Sequence, residues 1–195
     1  MIVSDLLSDL RELALVTKGE RGTVAVLRQL LRNDSFPILL LNRLRASARA
    51  LHIPVVNHAL RFVQTTIYGT EIGSEVRLGH GVWFVHPVGT VVGGDARVGD
   101  RVRFYGHNAV GTARDNGYPV IEDDVSVGIG ACILGPVHIG RGAVIAANAV
   151  VLSDVPAGAL AAGVPATVRR SNGSERDRSH VRASGAGGET PRRAG

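Results

Sequence analysis

The stretch FVHPVG, residues 84–89, places a histidine in a break of an otherwise regular pattern. Around it an aliphatic or aromatic residue recurs at every sixth position, but Phe84 and Val92 are eight positions apart. An imidazole titrates close to neutral pH and is the usual general base of enzymes. A histidine beside a turn is more often structural, yet a loop that interrupts a repeat usually has a function. His86 is therefore the first candidate for a catalytic base.

A second histidine and a carboxylate stand at spacings that suit such a site. His107 follows Phe104 by three residues, and Phe104 lies three repeats after Phe84, so the imidazoles of His86 and His107 are expected close together. Glu71, fifteen residues before His86, is a candidate for orienting that imidazole. A base of this kind can remove the proton of a hydroxyl or an amine that acts as a nucleophile, and nearby N–H donors can stabilise an oxyanion.

The elements that must position these residues are short and repetitive. Counting in sixes, with one interruption after Phe84 and a longer one after Val110, gives thirteen positions in phase. A period of six matches neither a helix nor a single hairpin and predicts a solenoid, in which three strand-and-corner units form one triangular coil. The thirteen positions are Ile72, Leu78, Phe84, Val92, Val98, Phe104, Val110, Ile121, Val127, Ile133, Ile139, Ile145 and Val151.

The sequence divides into three parts. Residues 1–66 are predicted to be α-helical, with apolar periodicity over 4–16, 36–51 and 54–67. Residues 67–170 form the predicted parallel β-helix, so the fold is mainly β. Residues 171–195 are rich in Gly, Ser and Arg and are predicted to be a disordered tail.

Composition favours a soluble, cytoplasmic protein. Cys132 is the single cysteine, so an internal disulfide is excluded. No apolar run approaches the ~18–20 residues of a membrane span, and the first residues mix acids with apolar side chains, unlike a signal peptide. The net charge of +5 comes from scattered arginines and from the tail, so neither a nucleic acid nor a membrane is expected as a partner.

Residues 69–100, GTEIGSEVRLGHGVWFVHPVGTVVGGDARVGD, resemble the serine O-acetyltransferases of the hexapeptide-repeat acyltransferase family. The ending VVLSDVPAGALAAGVPATVRR, residues 150–170, is similar to that of many hexapeptide acyltransferases. The resemblance covers about residues 31–170 and implies a left-handed parallel β-helix. It also implies that His86 is the catalytic base, that Glu71 takes the place of the family's orienting aspartate, and that Asp34, in LLRNDSF, contacts the acceptor.

The resemblance further implies acetyl-CoA, or another acyl-CoA, as co-substrate, with no permanently bound cofactor and no metal. Coenzyme A would lie in a groove between adjacent β-helices of a homotrimer or a dimer of trimers, with residues 1–66 deciding between the two. The chain positions that match the family's coenzyme A contacts, with the two arginines as weaker candidates, are Gly111, Thr112, Ile129, Gly130, Ala147, Arg169 and Arg170.

The second interruption departs from the family pattern. GTARDNGYP, residues 111–119, has Tyr118 where the family has a second histidine, and the cation expected beside it is absent, with Arg114 three residues away. His107 is a candidate to replace the missing histidine. These departures predict that free L-serine is a poor acceptor and that an amino-alcohol derivative, a carrier-bound residue or a sugar is preferred. The ending RRAG lacks the isoleucine with which family members dock onto cysteine synthase, so that partner is not expected.

Other functions remain open at this point. A sugar, polysaccharide or secondary-metabolite O- or N-acetyltransferase is one alternative. A β-helix scaffold without catalysis is another. A metal-dependent hydratase would need three histidines on one zinc ion, and the spacing of His80, His86 and His107 does not suit such a site.

Overall fold

The structure is a computed structural model that describes residues 2–19 and 22–169. Its helices are α1 (Ile2–Lys18), α2 (Thr23–Arg32), α3 (Ser35–Ala50) and α4 (Pro54–Tyr68). Its strands are β1 (Glu71–Ile72), β2 (Arg77–Leu78), β3 (Trp83–Phe84), β4 (Val91–Val92), β5 (Arg97–Val98), β6 (Arg103–Phe104), β7 (Ala109–Gly111), β8 (Val120–Ile121), β9 (Ser126–Val127), β10 (Cys132–Leu134), β11 (His138–Ile139), β12 (Val144–Ile145), β13 (Val150–Val151), β14 (Leu160–Gly163) and β15 (Ala166–Arg169). The predicted tail, residues 171–195, lies outside the described residues.

The strands form three parallel sheets that wrap into a triangular solenoid. Sheet A contains β1, β4, β7, β10 and β13, sheet B contains β2, β5, β8 and β11, and sheet C contains β3, β6, β9, β12, β14 and β15. From β1 to β13 the paired strands are three apart in the chain, so three consecutive strands make one coil. β14 and β15 end sheet C as an antiparallel pair. The predicted parallel β-solenoid is confirmed.

The core of the solenoid contains the column of residues that the six-residue count identified, together with small or β-branched residues four places after most of them. All thirteen in-phase side chains are at most 6 % exposed. The rings of Phe84 and Phe104 stack with their centroids 5.5 Å apart, which fixes the register of the first two coils on sheet C. In most strands the residue before the core position points outward, as Arg97 does before Val98.

The corners between sheets form three edges of the solenoid, which we name by the sheets they join. The CA edge contains 85–90, 105–108, 128–131 and 146–149; the AB edge contains 73–76, 93–96, 111–119 and 135–137; the BC edge contains 79–82, 99–102, 122–125 and 140–143. The first loop, residues 85–90, is therefore on the CA edge, and the second loop, residues 111–119, is on the AB edge. Within one chain the two loops leave the solenoid at different edges.

The N-terminal region contains one helix more than the sequence predicted. α2 was missed because it lacks the usual start signals: its N-cap is Gly22, which makes no side-chain cap, and its first turn has no acidic residue. α4 begins with Pro54 in its first turn, as expected, and extends to Tyr68, two residues past the predicted boundary. Within the described part of the chain, no helix combines the length and apolarity that crossing a membrane requires.

Buried polar contacts fix the helices on the solenoid. Arg43 of α3 donates hydrogen bonds to both carboxylate oxygens of Asp9 in α1, at 3.2 and 3.1 Å, and to the carbonyls of Leu78 and Gly79, at 2.8 Å each. The Asp9 side chain is fully buried. One guanidinium thus connects two helices to the BC edge.

A second buried guanidinium connects α3 and α4 to the first coil. Arg45 donates to Gln64 at 2.6 Å and to the carbonyl of Ile72 at 2.9 Å. Burial lowers its pKa, and the positive charges of Arg49 and Arg61 add to that effect. These contacts set the position of α4 beside β1, where Glu71 lies.

An ion-pair network on the BC edge predicts a pH-dependent stability. Arg101 donates to both oxygens of Asp124, at 2.7 and 3.0 Å, and to Glu12 of α1 at 3.1 Å. The hydrogen bond from Arg101 lowers the pKa of Asp124. The contribution of this carboxylate to stability is therefore complete above its unfolded pKa of about 3.9 and is lost as the pH falls through its lower folded pKa.

We expect Asp124→Asn to lower the free energy of unfolding by about 0.5–1 kcal/mol at pH 7, because the pair is partly solvated. The difference from the wild type should shrink as the pH falls below about 4. Asp124 has a φ of 62°, which asparagine tolerates well, so the substitution tests charge rather than backbone strain. Urea unfolding at several pH values measures it, with Asp95→Asn as an exposed control on the AB edge. An equal loss at pH 3 and pH 7 would contradict the electrostatic origin.

Candidate active site

His86 lies on the CA edge, in the first loop, with its side chain exposed. Hydrogen bonds to the residues just before β1 fix this loop: the Gly89 N–H donates to the carbonyl of Gly69 at 2.8 Å, and the Thr70 hydroxyl donates to the carbonyl of Pro87 at 2.8 Å. Thr70 is fully buried. The backbone of the loop that carries His86 is thus held at Pro87 and Gly89.

His107 packs against the same loop. Its backbone N–H donates to the carbonyl of Val88 at 3.1 Å, and a Cβ on Gly89 would come within 2.4 Å of its Nδ1. A Cβ on the preceding Gly106 would come within 2.7 Å of the His86 carbonyl oxygen. Two glycines therefore allow the segments of the two histidines to be in contact, as their spacing in the sequence predicts.

Glu71 is the first residue of β1, next to the threonine that holds the loop. Its N–H donates to the carbonyl of Thr90 at 2.9 Å, and its carboxylate accepts a hydrogen bond from Arg61 of α4. Glu71 and Arg61 are both partly exposed. The structure places Glu71 beside the loop of His86, with Arg61 as the hydrogen-bond partner of its side chain. Its role in orienting the imidazole stays a prediction.

A groove of about 760 Å³ runs along sheet C and the CA edge. It brings His86 together with two of the positions predicted to contact coenzyme A, Ile129 and Ala147. Backbone hydrogen bonds between the corners build this edge, since Gly130 donates to Gly106 at 3.0 Å and Asn148 donates to Ile129 at 2.8 Å. The residues that line the groove are His86, Arg103, Tyr105, Ser126, Gly128, Ile129, Val144, Ile145, Ala146 and Ala147.

Asp34 immediately precedes α3, and its side chain is exposed. It lines a second cavity, of about 510 Å³, whose walls include Trp83, Phe84 and Val85. The neighbouring Ser35 is buried and fixes this geometry, because its hydroxyl accepts from the Phe84 N–H at 2.9 Å and donates to the Phe84 carbonyl at 3.2 Å. The predicted acceptor-binding aspartate thus lies beside the strand that leads into His86.

The remaining predicted residues are not brought to His86 within the chain. Gly111, Thr112, Arg114 and Tyr118 lie at the AB edge. The Tyr118 ring covers Gly94, where a Cβ would come within 2.0 Å of the ring. That ring face is therefore occupied by the protein itself.

The end of the solenoid holds the last of these candidates. Arg169 is the final residue of β15, two strands beyond Val144 on sheet C, and it is exposed. It is not among the residues that line the groove. Arg170 lies outside the described residues.

Two findings bear on a metal site. His80 lies on the BC edge, where its Nδ1 is 3.3 Å from Oδ1 of Asp9. His86 and His107 lie on the CA edge, so within the chain His80 is on a different edge of the solenoid from the other two. Among the residues that the structure describes, no group of three His, Cys, Asp or Glu side chains is arranged to hold a metal ion.

Sequence reasoning missed Arg103 and Ser126 as residues of the groove. Arg103 and Ser126 occupy ordinary outward strand positions, at which a solvated side chain is the usual interpretation. The signal that identifies them is the register across coils, in which Arg103 stands next to Trp83 and Ser126 on sheet C.

Comparison with known proteins agrees with this architecture. The family described as bacterial transferase hexapeptide (six repeats) matches residues 118–153. A serine acetyltransferase of Synechococcus elongatus is 34% identical over 145 residues, which cover 73% of this chain and 59% of that protein. A serine acetyltransferase of Helicobacter pylori is 38% identical over 125 residues, which cover 61% of this chain and 73% of that protein. The chain spans 59%, 54% and 31% of the cyanobacterial, Bacillus licheniformis and Arabidopsis thaliana relatives.

Solved structures give the same result. A soybean serine acetyltransferase complexed with serine superposes with a TM-score of 0.75 at 31% identity, over 86% of this chain and 69% of that one. A serine acetyltransferase in complex with CoA superposes with a TM-score of 0.77 at 27% identity, over 86% and 69%. Because relatives above 30% identity are covered over more than two thirds of their own length, the chain belongs to the serine acetyltransferase family of hexapeptide-repeat proteins.

Proposed function

We propose that this protein transfers an acetyl group from acetyl-CoA to the hydroxyl of serine or a related amino-alcohol. The observation that carries the proposal is the position of His86, in a fixed loop of a groove that also contains Ile129 and Ala147. The names of the relatives support the acetyl donor and the acceptor class. The free thiol of Cys132 fits a cytoplasmic location.

In the proposed reaction, the His86 imidazole accepts the proton of the acceptor hydroxyl while the hydroxyl oxygen attacks the thioester carbonyl. The tetrahedral intermediate then expels the thiolate of coenzyme A, which takes the proton from the imidazolium. The ester and free coenzyme A are the products. Glu71, with its charge held beside the first loop, is proposed to keep the imidazole in the tautomer that can accept this proton.

Assembly is part of the proposal. His86 and the second loop lie at different edges of one solenoid, so a site that uses both needs a second copy of the chain. A homotrimer supplies it, because each CA edge can face the AB edge of a neighbour around a threefold axis. Gly111, Thr112, Arg114 and Tyr118 would then come from the neighbouring subunit, and the helical region would decide whether two trimers pair.

The test is release of free thiol from acetyl-CoA across a panel of L-serine, amino-alcohols, other amino acids and sugars. We expect turnover with a hydroxyl-bearing amino acid or amino-alcohol that EDTA does not reduce. Turnover with sugars alone would favour the polysaccharide alternative. Intact, trimeric protein that turns over none of the acceptors would favour a scaffold without catalysis.

A further inference from the structure

Arg103 is a cation without a committed partner in the groove of His86. It projects from β6, one residue before the core position Phe104, and is about half-buried. Its Nε atom is enclosed and has no hydrogen-bond partner among the described residues. Asp124, whose pKa its charge helps to lower, already accepts two hydrogen bonds from Arg101.

The groove itself supplies no acidic side chain as a partner for Arg103, since none of the described residues that line it is acidic. An enclosed N–H without an acceptor costs free energy, and a charged group costs more than a neutral one. A guanidinium in this setting is well suited to a planar oxyanion such as a carboxylate, which can accept two of its N–H groups at once.

The neighbours of Arg103 define where such an oxyanion belongs. Arg103 is the register partner of Trp83 on the adjacent strand, and adjacent strands lie about 4.8 Å apart. Trp83 lines the cavity of Asp34, and His86 follows Trp83 by three residues. Trp83 therefore borders both the cavity of the anion Asp34 and the strand of the cation Arg103, and its own strand leads into the loop of the base His86.

We propose that Arg103 binds the α-carboxylate of the acceptor, while Asp34 receives its ammonium group and His86 its hydroxyl. This inference rests on the proposed acetyl transfer and names the class of acceptor, a hydroxyl-bearing α-amino acid. It supplies, from a strand of the same chain as His86, the cation that the second loop lacks. The expectation that free L-serine is a poor acceptor depended on that missing cation.

The test compares L-serine with L-serinamide, in which a neutral amide replaces the carboxylate. Wild-type protein should prefer L-serine in kcat/KM. Arg103→Met should lower kcat/KM for L-serine by about ten- to a hundredfold, the effect of losing a charged hydrogen bond. L-serinamide should change little, and KM for acetyl-CoA should stay the same. Arg103→Lys, which keeps the charge but not the paired N–H groups of the planar guanidinium, should recover part of the loss for L-serine.

Arg97→Met is the matched control. Arg97 precedes Val98 as Arg103 precedes Phe104, but it lies on sheet B, away from the groove. It should leave both acceptors unchanged, and thermal unfolding should show that every variant is folded. A rise in KM for acetyl-CoA alone would assign Arg103 to a phosphate of the nucleotide and overturn the proposal. Equal losses for L-serine and L-serinamide, or none, would also overturn it. A wild-type protein that is inactive with every acceptor would instead refute the acetyl transfer itself.

Discussion

His86→Ala should reduce kcat by about 10²–10⁴-fold, the range observed when a general base is removed. The imidazole is exposed in the groove, and its loop is fixed through Gly89, Thr70 and Pro87, so its loss changes the chemistry without removing a core contact. Binding of acetyl-CoA, measured by calorimetry, should stay close to that of the wild type. Steady-state thiol release with the best acceptor of the panel gives kcat.

His138→Ala is the control for this experiment. His138 is also an exposed histidine of the solenoid, but it lies on sheet B, where Glu122 is its partner at 3.1 Å. It should leave kcat unchanged. Glu71→Gln should cost less than His86→Ala, since it disturbs only the orientation of the base. Wild-type turnover by His86→Ala would show that the interruption at the first loop is structural, and His107 would become the next candidate.

The solenoid could be predicted from the sequence because its signal is repeated. Each coil contributes three in-phase side chains to the core, so the same requirement recurs thirteen times. An irregular spacing, such as the eight positions between Phe84 and Val92, stands out against the rest. α2 could not be predicted in this way. It depends on packing against α1 and has neither a side-chain cap nor an acidic first turn.

The candidate site was predictable only in part. His86 was found because it lies in an interruption of the repeat, and His107 because it follows Phe104, which stands three repeats after Phe84. Arg103 was missed, since its position one residue before Phe104 is the same as that of Arg97, which faces away from the groove. The two arginines differ in the sheet that they occupy and in the residues that flank them on neighbouring coils. This difference emerges only when every third strand is assigned to the same sheet and both interruptions are taken into account.

Deleting residues 113–117 from the second loop should leave the fold intact and lower activity by about a hundredfold or more, because the loop would no longer position groups in the neighbour's site. Val110 and Ile121 are eleven positions apart, so removing five residues restores the period of six. Pro119 is buried and occupies the same position in its coil as Ala96 does in the preceding coil. Its carbonyl accepts a hydrogen bond from the Arg97 N–H. Circular dichroism and light scattering should therefore show a folded trimer, while thiol release falls.

Co-expression of this deletion with His86→Ala then tests whether the site is shared between subunits. A functional site needs His86 from a deletion chain and the second loop from a His86→Ala chain. Random assembly of equal amounts produces that pairing at about a quarter of the interfaces of a trimer. We expect about a quarter of wild-type activity from the mixture, against almost none from either variant alone or from the two trimers mixed after purification. Failure to recover activity in mixed trimers of verified composition would place the whole site within one chain.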